Sequence, residues 1–172
     1  MYKSIKGFTL HELMTSLAIL ALTASLGLPT LYNFIHDYRL RAAANDLLMA
    51  ALLARSEAIK RNTPVILAAK SGSWSSGWEA YPDYNYSGTR DGAENTLLES
   101  NELPKLNIRG NQPVATYIRF SPSGRAKLLG GAFQAGTITL CHPHSRASQR
   151  ELVLSSMGRL KLQKLSHQGC TP

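Results

Sequence analysis

The chain has 172 residues, a formal net charge of +8, 44% hydrophobic residues and 17% charged ones. This length fits one globular domain plus a membrane anchor, and we see neither an internal repeat nor a linker long enough to divide domains. Residues 65–102 carry two basic and six acidic side chains, whereas residues 103–172 carry ten basic and one acidic. Such an excess indicates a polyanionic partner, with a solvated face or an acidic protein neighbour as alternatives.

A short basic leader containing Lys3 and Lys6 opens the chain and is followed by Gly7-Phe8-Thr9-Leu10-His11-Glu12. After Glu12 no charged side chain occurs until Asp37. An ordinary secretory signal also joins a basic start to an apolar stretch, and residues 24 and 25 would supply its small-residue cleavage site. Glu12 argues against that alternative, because a carboxylate inside the apolar run costs a few kcal/mol in a bilayer.

The arrangement resembles the type III signal of type IV prepilins and type II secretion pseudopilins. The resemblance implies that a prepilin peptidase cuts between Gly7 and Phe8 and methylates the new N-terminal phenylalanine. It also implies that Glu12 pairs with the free N-terminal amine of a neighbouring subunit, and a buried charge needs such a partner. His11 departs from the family pattern, in which this position is usually aliphatic.

The apolar span over residues 13–35 has 23 residues, which is long enough to cross a bilayer. Hydroxyl side chains make it less apolar than a committed anchor, and Gly27 and Pro29 would bend a helix there. This mixture is typical of a segment that leaves the membrane and packs against sister helices, with a plain membrane anchor as the alternative. The family division would be a cleaved leader at 1–7, a transmembrane and filament-core helix at 8–35, and a periplasmic globular domain at 36–172.

One long helix is predicted from residue 8 to about residue 61, with a length of roughly 80 Å at 1.5 Å per residue. Its second half has apolar residues at helical spacing, which is typical of an amphipathic helix with one face on a core. These residues are Leu40, Ala44, Leu47, Leu48, Ala51, Leu52, Ala58 and Ile59. The sequence Asn62-Thr63-Pro64 ends the helix.

Beyond Pro64 the chain alternates short apolar runs with turn signals, which predicts an antiparallel sheet, in one or two parts, over one helix. The predicted strands are Val65–Ala69, 77–81, 115–121, Gly136–Cys141, 151–154 and 160–162. The polar and acidic segment 82–95 is predicted to be a loop. The fold class is therefore α+β.

The run Ala54-Arg55-Ser56-Glu57-Ala58-Ile59-Lys60-Arg61, followed by the strand at Val65, narrows the resemblance. It is similar to the GspH and FimT/FimU branch of minor pilins and pseudopilins. Together with the N-terminal motif, the similarity covers about the first 70 residues. It implies a pilin fold, in which a long N-terminal helix packs against a C-terminal antiparallel sheet domain.

Cys141 and Cys170 lie in the part predicted to be exported. In an oxidising periplasm such a pair is most simply a disulfide, which would tie the C-terminal tail to a strand. Zinc binding is an alternative because His142, His144 and His167 lie nearby, but the spacings fit no common zinc module well. Free thiols are a further alternative. We predict no metal and no other cofactor.

Catalysis has little support in the sequence. The histidines and Ser156 form no triad or nucleophile elbow, and the carboxylates form no recognisable acid–base pair. We therefore predict no catalytic residue and a protein that is not an enzyme.

The segment Ser155-Ser156-Met157-Gly158-Arg159-Leu160-Lys161 resembles the Gly-Arg-x-Arg/Lys element near the C-terminus of FimT-like minor pilins, where it is associated with DNA binding. Gly158 permits a turn with positive φ, and Arg159 and Lys161 alternate along an extended chain, so both face one way. Lysine is a weaker bidentate phosphate clamp than the arginine of the stricter motif. The predicted DNA-binding residues are Arg146, Arg150, Gly158, Arg159, Lys161 and Lys164.

The sequence thus leads to two compatible expectations. One is a structural minor pilin that initiates or caps a type IV pilus or a type II secretion pseudopilus, its C-terminal turn only shaping a hairpin. The other is a minor pilin that also binds DNA during uptake, through the duplex backbone, because no aromatic side chain follows Phe133. The implied partners are other major and minor pilins, prepilin peptidase, the inner-membrane assembly platform and double-stranded DNA. The implied location is the bacterial inner membrane, single-pass with a periplasmic C-terminal domain, and then the filament.

Overall fold

A computed structural model describes residues 7–92, 94–103, 105–143, 149–165 and 170. Helix α1 runs over Leu10–Arg61, two residues shorter at its start than predicted. Thr9 caps it, because its hydroxyl accepts from the backbone N–H of Glu12 while the Glu12 carboxylate accepts from the backbone N–H of Thr9. At the other end Asn62 adopts a left-handed conformation with φ 51° and stops the helix.

Among the helices in the described part of the chain, none has a stretch both long enough and apolar enough to cross a membrane. Four hydroxyl side chains in the first half of α1 donate to carbonyl oxygens of the preceding helical turn; they belong to Thr15, Ser16, Thr23 and Ser25.

The strands described after α1 are β1 (Val65–Ala69), β2 (Trp78–Pro82), β3 (Leu98–Glu99), β4 (Asn107–Gly110), β5 (Tyr117–Phe120), β6 (Gly136–Cys141), β7 (Gln149–Leu154) and β8 (Leu160–Leu165). They form two four-stranded sheets, one in the order β3-β2-β1-β5 and one in the order β4-β6-β7-β8. All paired strands are antiparallel. The α+β pilin-like architecture is as predicted, and the sheet is in two parts.

Six of these strands coincide with predicted ones. β1 and β6 have the predicted bounds, and β2, β5, β7 and β8 differ by a few residues. The sequence missed β3 and β4, which have two and four residues and are too short to show an alternating pattern. Of the predicted loop at 82–95, Pro82 belongs to β2, and the described remainder contains no helix or strand.

The second half of α1 buries one stripe of side chains against both sheets. Its buried members are Leu40, Ala43, Ala44, Leu47, Ala50, Ala51, Ala54 and Ala58. They recur every three or four residues, as expected for one helical face, and most are alanines. Leu52 and Ile59, which the sequence placed in this stripe, are 39% and 52% exposed. The predicted stripe was therefore wrong at these two positions, because the helix turns its smaller side chains toward the sheets.

Cys141, at the end of β6, forms a disulfide with Cys170, and their Cα atoms are 5.8 Å apart. The bond fixes the C-terminal tail to the second sheet. His144 and His167, which raised the zinc alternative, lie outside the described residues. Within the described part of the chain, no three histidine, cysteine or acidic residues are grouped so that they would hold a metal ion.

Candidate functional site

The predicted DNA-binding element is the turn that joins β7 and β8. Gly158 has a φ of 75°, and its backbone N–H donates to the carbonyl oxygen of Ser155 at 2.8 Å. The N–H of Ser155 donates to the carbonyl oxygen of Arg159 at 2.9 Å, and the Ser155 hydroxyl accepts from the N–H of Arg159 at 3.1 Å. These bonds close the turn and fix the position of Arg159 at the start of β8.

Arg159 and Lys161 both lie exposed on the outer side of this hairpin. Leu160 and Leu162 pack against the core from the other side of β8, and alternate residues of a strand face opposite ways. Within the described part of the chain, neither Arg159 nor Lys161 forms an ion pair with an acidic side chain. Both cations are therefore available to an external anion.

The remaining predicted DNA-binding residues lie elsewhere. Lys164 is three positions after Lys161 and so faces the opposite side of β8, roughly 10 Å along the strand. It is opposite Arg150 of β7 in the register. The Arg150 side chain is only 14% exposed, and its guanidinium lies 3.5 Å from the carboxylate of Asp37 on α1. Arg146 lies outside the described residues.

Gly158 is packed directly against a second turn, which contains Gly124. A Cβ atom on Gly158 would overlap the carbonyl oxygen of Gly124. The same carbonyl oxygen accepts a hydrogen bond of 2.9 Å from Nε of Arg55 on α1. Helix α1 therefore holds the turn with Gly124, and that turn packs against the one that carries Arg159. Only glycine fits at position 158.

The first half of α1 lies largely outside the buried core of the residues that the structure describes. From Phe8 to Ile35, the large apolar side chains that the structure describes are 40–82% exposed, and the buried core cluster begins only at Leu40. Gly7 and Phe8 lie exposed ahead of the helix. An apolar surface of this extent marks an interaction site with protein or membrane.

The Glu12 carboxylate lies at the start of this exposed half-helix. One of its oxygens accepts from the backbone N–H of Thr9 at 2.9 Å and from the Thr9 hydroxyl at 2.8 Å. A carboxylate offers about four acceptor positions, so the capping bonds leave room for a further donor. This role of Thr9 was not predicted, although threonine three residues before glutamate is the pattern of a capping box.

The family model of the type II transport protein GspH matches residues 43–158, which is more than half of the chain. The chain belongs to the GspH family. Two crystal structures of the type IV minor pilin FimU from Pseudomonas aeruginosa (strain PAO1) share the fold. One has a TM-score of 0.63 and 22% identity, covering 80% of this chain and 99% of that one. The other has a TM-score of 0.60 and 22% identity, covering 76% and 99%. No curated protein matches.

The predicted membership in the GspH family is thus confirmed, and the fold is shared with the minor pilin FimU. Proteins of this family are pilin-type structural subunits that associate with other pilins in a filament, rather than enzymes. The exposed half of α1 is the part of the chain that such an association would cover.

Two buried carboxylates of the acidic loop at residues 82–95 have partners in the loop itself or in the first sheet. The buried carboxylate of Asp83 lies 3.4 Å from Nε of Arg119, and the buried Glu94 accepts from the backbone N–H groups of Tyr84 and Asp91 at 2.9 and 3.2 Å. Burial, with the neighbouring carboxylates, raises the pKa of Tyr81 to about 12. Asp83 and Glu94 are thus both engaged within the loop and the first sheet.

Proposed function

We propose that this chain is a minor pilin that is built into a type IV pilus and binds DNA non-specifically during DNA uptake. The turn between β7 and β8 would make the contact. The observation that carries the proposal is the pair Arg159 and Lys161, exposed side by side and without acidic partners in the described chain. Such cations engage phosphates without reading bases, so binding is independent of sequence and sensitive to salt.

Incorporation into the filament would follow from the N-terminal segment. In this proposal prepilin peptidase cuts between Gly7 and Phe8 and methylates Phe8, and Glu12 then pairs with the N-terminal amine of a neighbouring pilin. The partners would be other major and minor pilins and the inner-membrane assembly platform. The location would be the bacterial inner membrane, with the globular part in the periplasm, and afterwards the filament. The exposed apolar side chains of residues 8–35 support an association of this kind.

The second candidate is a minor pilin or pseudopilin that initiates or caps a pilus or a type II secretion filament without binding DNA. Two observations favour it. The matching family model is described as a type II transport protein, and Arg150 is engaged by Asp37 within the chain. In this candidate Gly158 only shapes a hairpin, and the exposed basic residues face a sister subunit.

DNA binding by the full chain, purified in a mild detergent, separates the two candidates. We expect the wild type to bind a duplex with an affinity that falls steeply as salt is raised, by roughly 0.9 log units per log unit of salt for each phosphate contact. The double variant Arg159→Gln/Lys161→Gln should lose most of this binding. The matched control is Lys105→Gln/Arg109→Gln, which removes the same charge from two other exposed positions and should bind as the wild type does. No binding by the wild type at low salt would leave the structural candidate.

Filament incorporation of a Glu12→Ala variant tests the assembly part. We expect a clear loss of incorporation into sheared filaments, because the N-terminal amine of the neighbour would have no carboxylate to meet. Asp46→Ala is the control, since Asp46 is an exposed carboxylate on the second half of the same helix. Normal incorporation of Glu12→Ala would contradict the pairing.

A further inference from the structure

The turn at residues 121–127 repeats the turn at residues 155–161 in sequence. The first reads Ser121-Pro122-Ser123-Gly124-Arg125-Ala126-Lys127 and the second Ser155-Ser156-Met157-Gly158-Arg159-Leu160-Lys161. Serine, glycine, arginine and lysine recur at the same spacing in both. Only the second copy was predicted from the sequence to be a functional element, so this short repeat was not predicted.

The two turns also have the same backbone conformation. Gly124 has a φ of 74° and Gly158 a φ of 75°. In the first turn, as in the second, the glycine N–H donates to the serine carbonyl oxygen at 2.8 Å, and the serine N–H donates to the arginine carbonyl oxygen at 2.9 Å. Arg125 and Arg159 therefore leave equivalent turns in equivalent positions.

The repeated turns lie against each other. Gly158 meets the carbonyl oxygen of Gly124 so closely that no Cβ atom fits between them. Two Gly-Arg-x-Lys elements consequently begin at a single point of the surface. Arg125 is exposed and Lys127 is half-buried, and within the described chain neither forms an ion pair with an acidic side chain.

A cleft of about 130 Å³ lies between the two turns and is lined by Arg125, Ala126, Lys127, Phe133, Ser156 and Met157. Phe133 is 74% exposed and Met157 is 56% exposed. Phe133 is held beside Lys127 by an antiparallel bridge between the two residues. The cleft thus joins an open aromatic side chain to two cations that are not neutralised.

We propose that this cleft binds an unpaired nucleotide of DNA, with a base on the ring of Phe133 and its flanking phosphates at Arg125 and Lys127. Arg159 and Lys161 of the second turn would contact the next phosphates along the strand. Proteins that bind single strands combine aromatic rings with cations, because every base can stack on a ring and every backbone phosphate carries a negative charge. The proposal rests on the proposed DNA binding, and it adds single-stranded or frayed DNA as a substrate that the cleft binds beyond the duplex contact at Arg159 and Lys161.

Affinity of the full chain in detergent for a short single strand and for the matching blunt duplex tests this proposal. We expect Phe133→Leu to weaken single-strand binding by about 10-fold, a typical loss for one stacked base, and to leave duplex binding unchanged. Phe133→Tyr, which keeps an aromatic ring, should bind the single strand as the wild type does. Tyr38→Leu removes another exposed aromatic ring, 63% exposed on α1, and should change neither. Arg125→Gln/Lys127→Gln should reduce the slope of log affinity against log salt for the single strand by about 0.7 for each lost phosphate contact.

The outcomes separate this proposal from the proposed function. The proposed cleft site is contradicted if Phe133→Leu binds the single strand as tightly as the wild type does. It is also contradicted if the variant loses the same affinity for single strand and duplex. If Arg159→Gln/Lys161→Gln still abolishes binding in that case, the DNA-binding pilin stands without it. If the wild type binds neither the single strand nor the duplex at low salt, both the cleft site and the proposed DNA-binding function are contradicted.

Discussion

Single residues of the basic turn are fixed by contacts from distant parts of the chain. The sequence indicates that Gly158 suits a turn with positive φ, and the structure gives it a φ of 75°. The sequence does not indicate that the carbonyl oxygen of Gly124 lies against Gly158, because that contact arises only when two turns from different sheets meet. In the same way, strand alternation pairs Arg159 with Lys161, but the engagement of Arg150 by Asp37 depends on where α1 crosses the second sheet.

Replacing Gly158 by alanine should destabilise the protein strongly. The new Cβ both occupies a left-handed backbone conformation, at a cost of about 1–3 kcal/mol, and collides with a backbone oxygen that Arg55 also holds. We expect a loss of about 3–4 kcal/mol in the free energy of unfolding, measured by urea denaturation. Gly131→Ala is the control, because Gly131 has a φ of 86° and open space around it. Equal losses in the two variants would refute the role of the collision.

Among the elements, α1 is the one whose existence the sequence predicts best and whose packing it predicts least well. The helical period and the Asn62-Thr63-Pro64 stop are plain in the sequence. The buried face is not, because hydrophobicity alone favours Leu52 and Ile59 over alanines, whereas close approach of a helix to two sheets favours small side chains. The short strands β3 and β4 were missed for a related reason. Their partners in the sheets determine them, rather than a pattern of their own.

Enlarging a residue of the alanine stripe should therefore be costly. Ala54 is fully buried beneath the sheets, and Ala54→Leu adds atoms where no space exists, so we expect a loss of about 1–3 kcal/mol in the free energy of unfolding. Leu52→Ala, on the neighbouring exposed face, should cost less than about 1 kcal/mol. Chemical denaturation of both variants measures the difference. A larger loss from Leu52→Ala would mean that the helix packs through the leucine face.

The molecule as a whole divides into a half-helix whose described apolar side chains are exposed and a two-sheet body with a basic edge formed by Arg159 and Lys161. The basic edge lies where β7 joins β8, next to the Gly136 end of β6, because Gly136 pairs with Leu154. Cys141 lies at the opposite end of β6, where it holds the tail through Cys170. The disulfide and the turn proposed to contact DNA thus lie at different ends of one sheet, so stability and DNA binding should respond to separate perturbations.

Reduction of the disulfide tests that separation. The bond joins residues 29 apart in the sequence, and in the chain-entropy model a loop of that size stabilises the fold by roughly 3–4 kcal/mol. For a domain of this length we expect the melting temperature to fall by about 10 °C in reductant. The variant Cys141→Ala/Cys170→Ala should melt at the lowered temperature with or without reductant. DNA binding of the reduced wild type, assayed well below that temperature, should be retained, since Arg159 and Lys161 lie at the far end of the sheet. An unchanged melting temperature would contradict the stabilising role, and a loss of binding in the folded, reduced protein would contradict the separation.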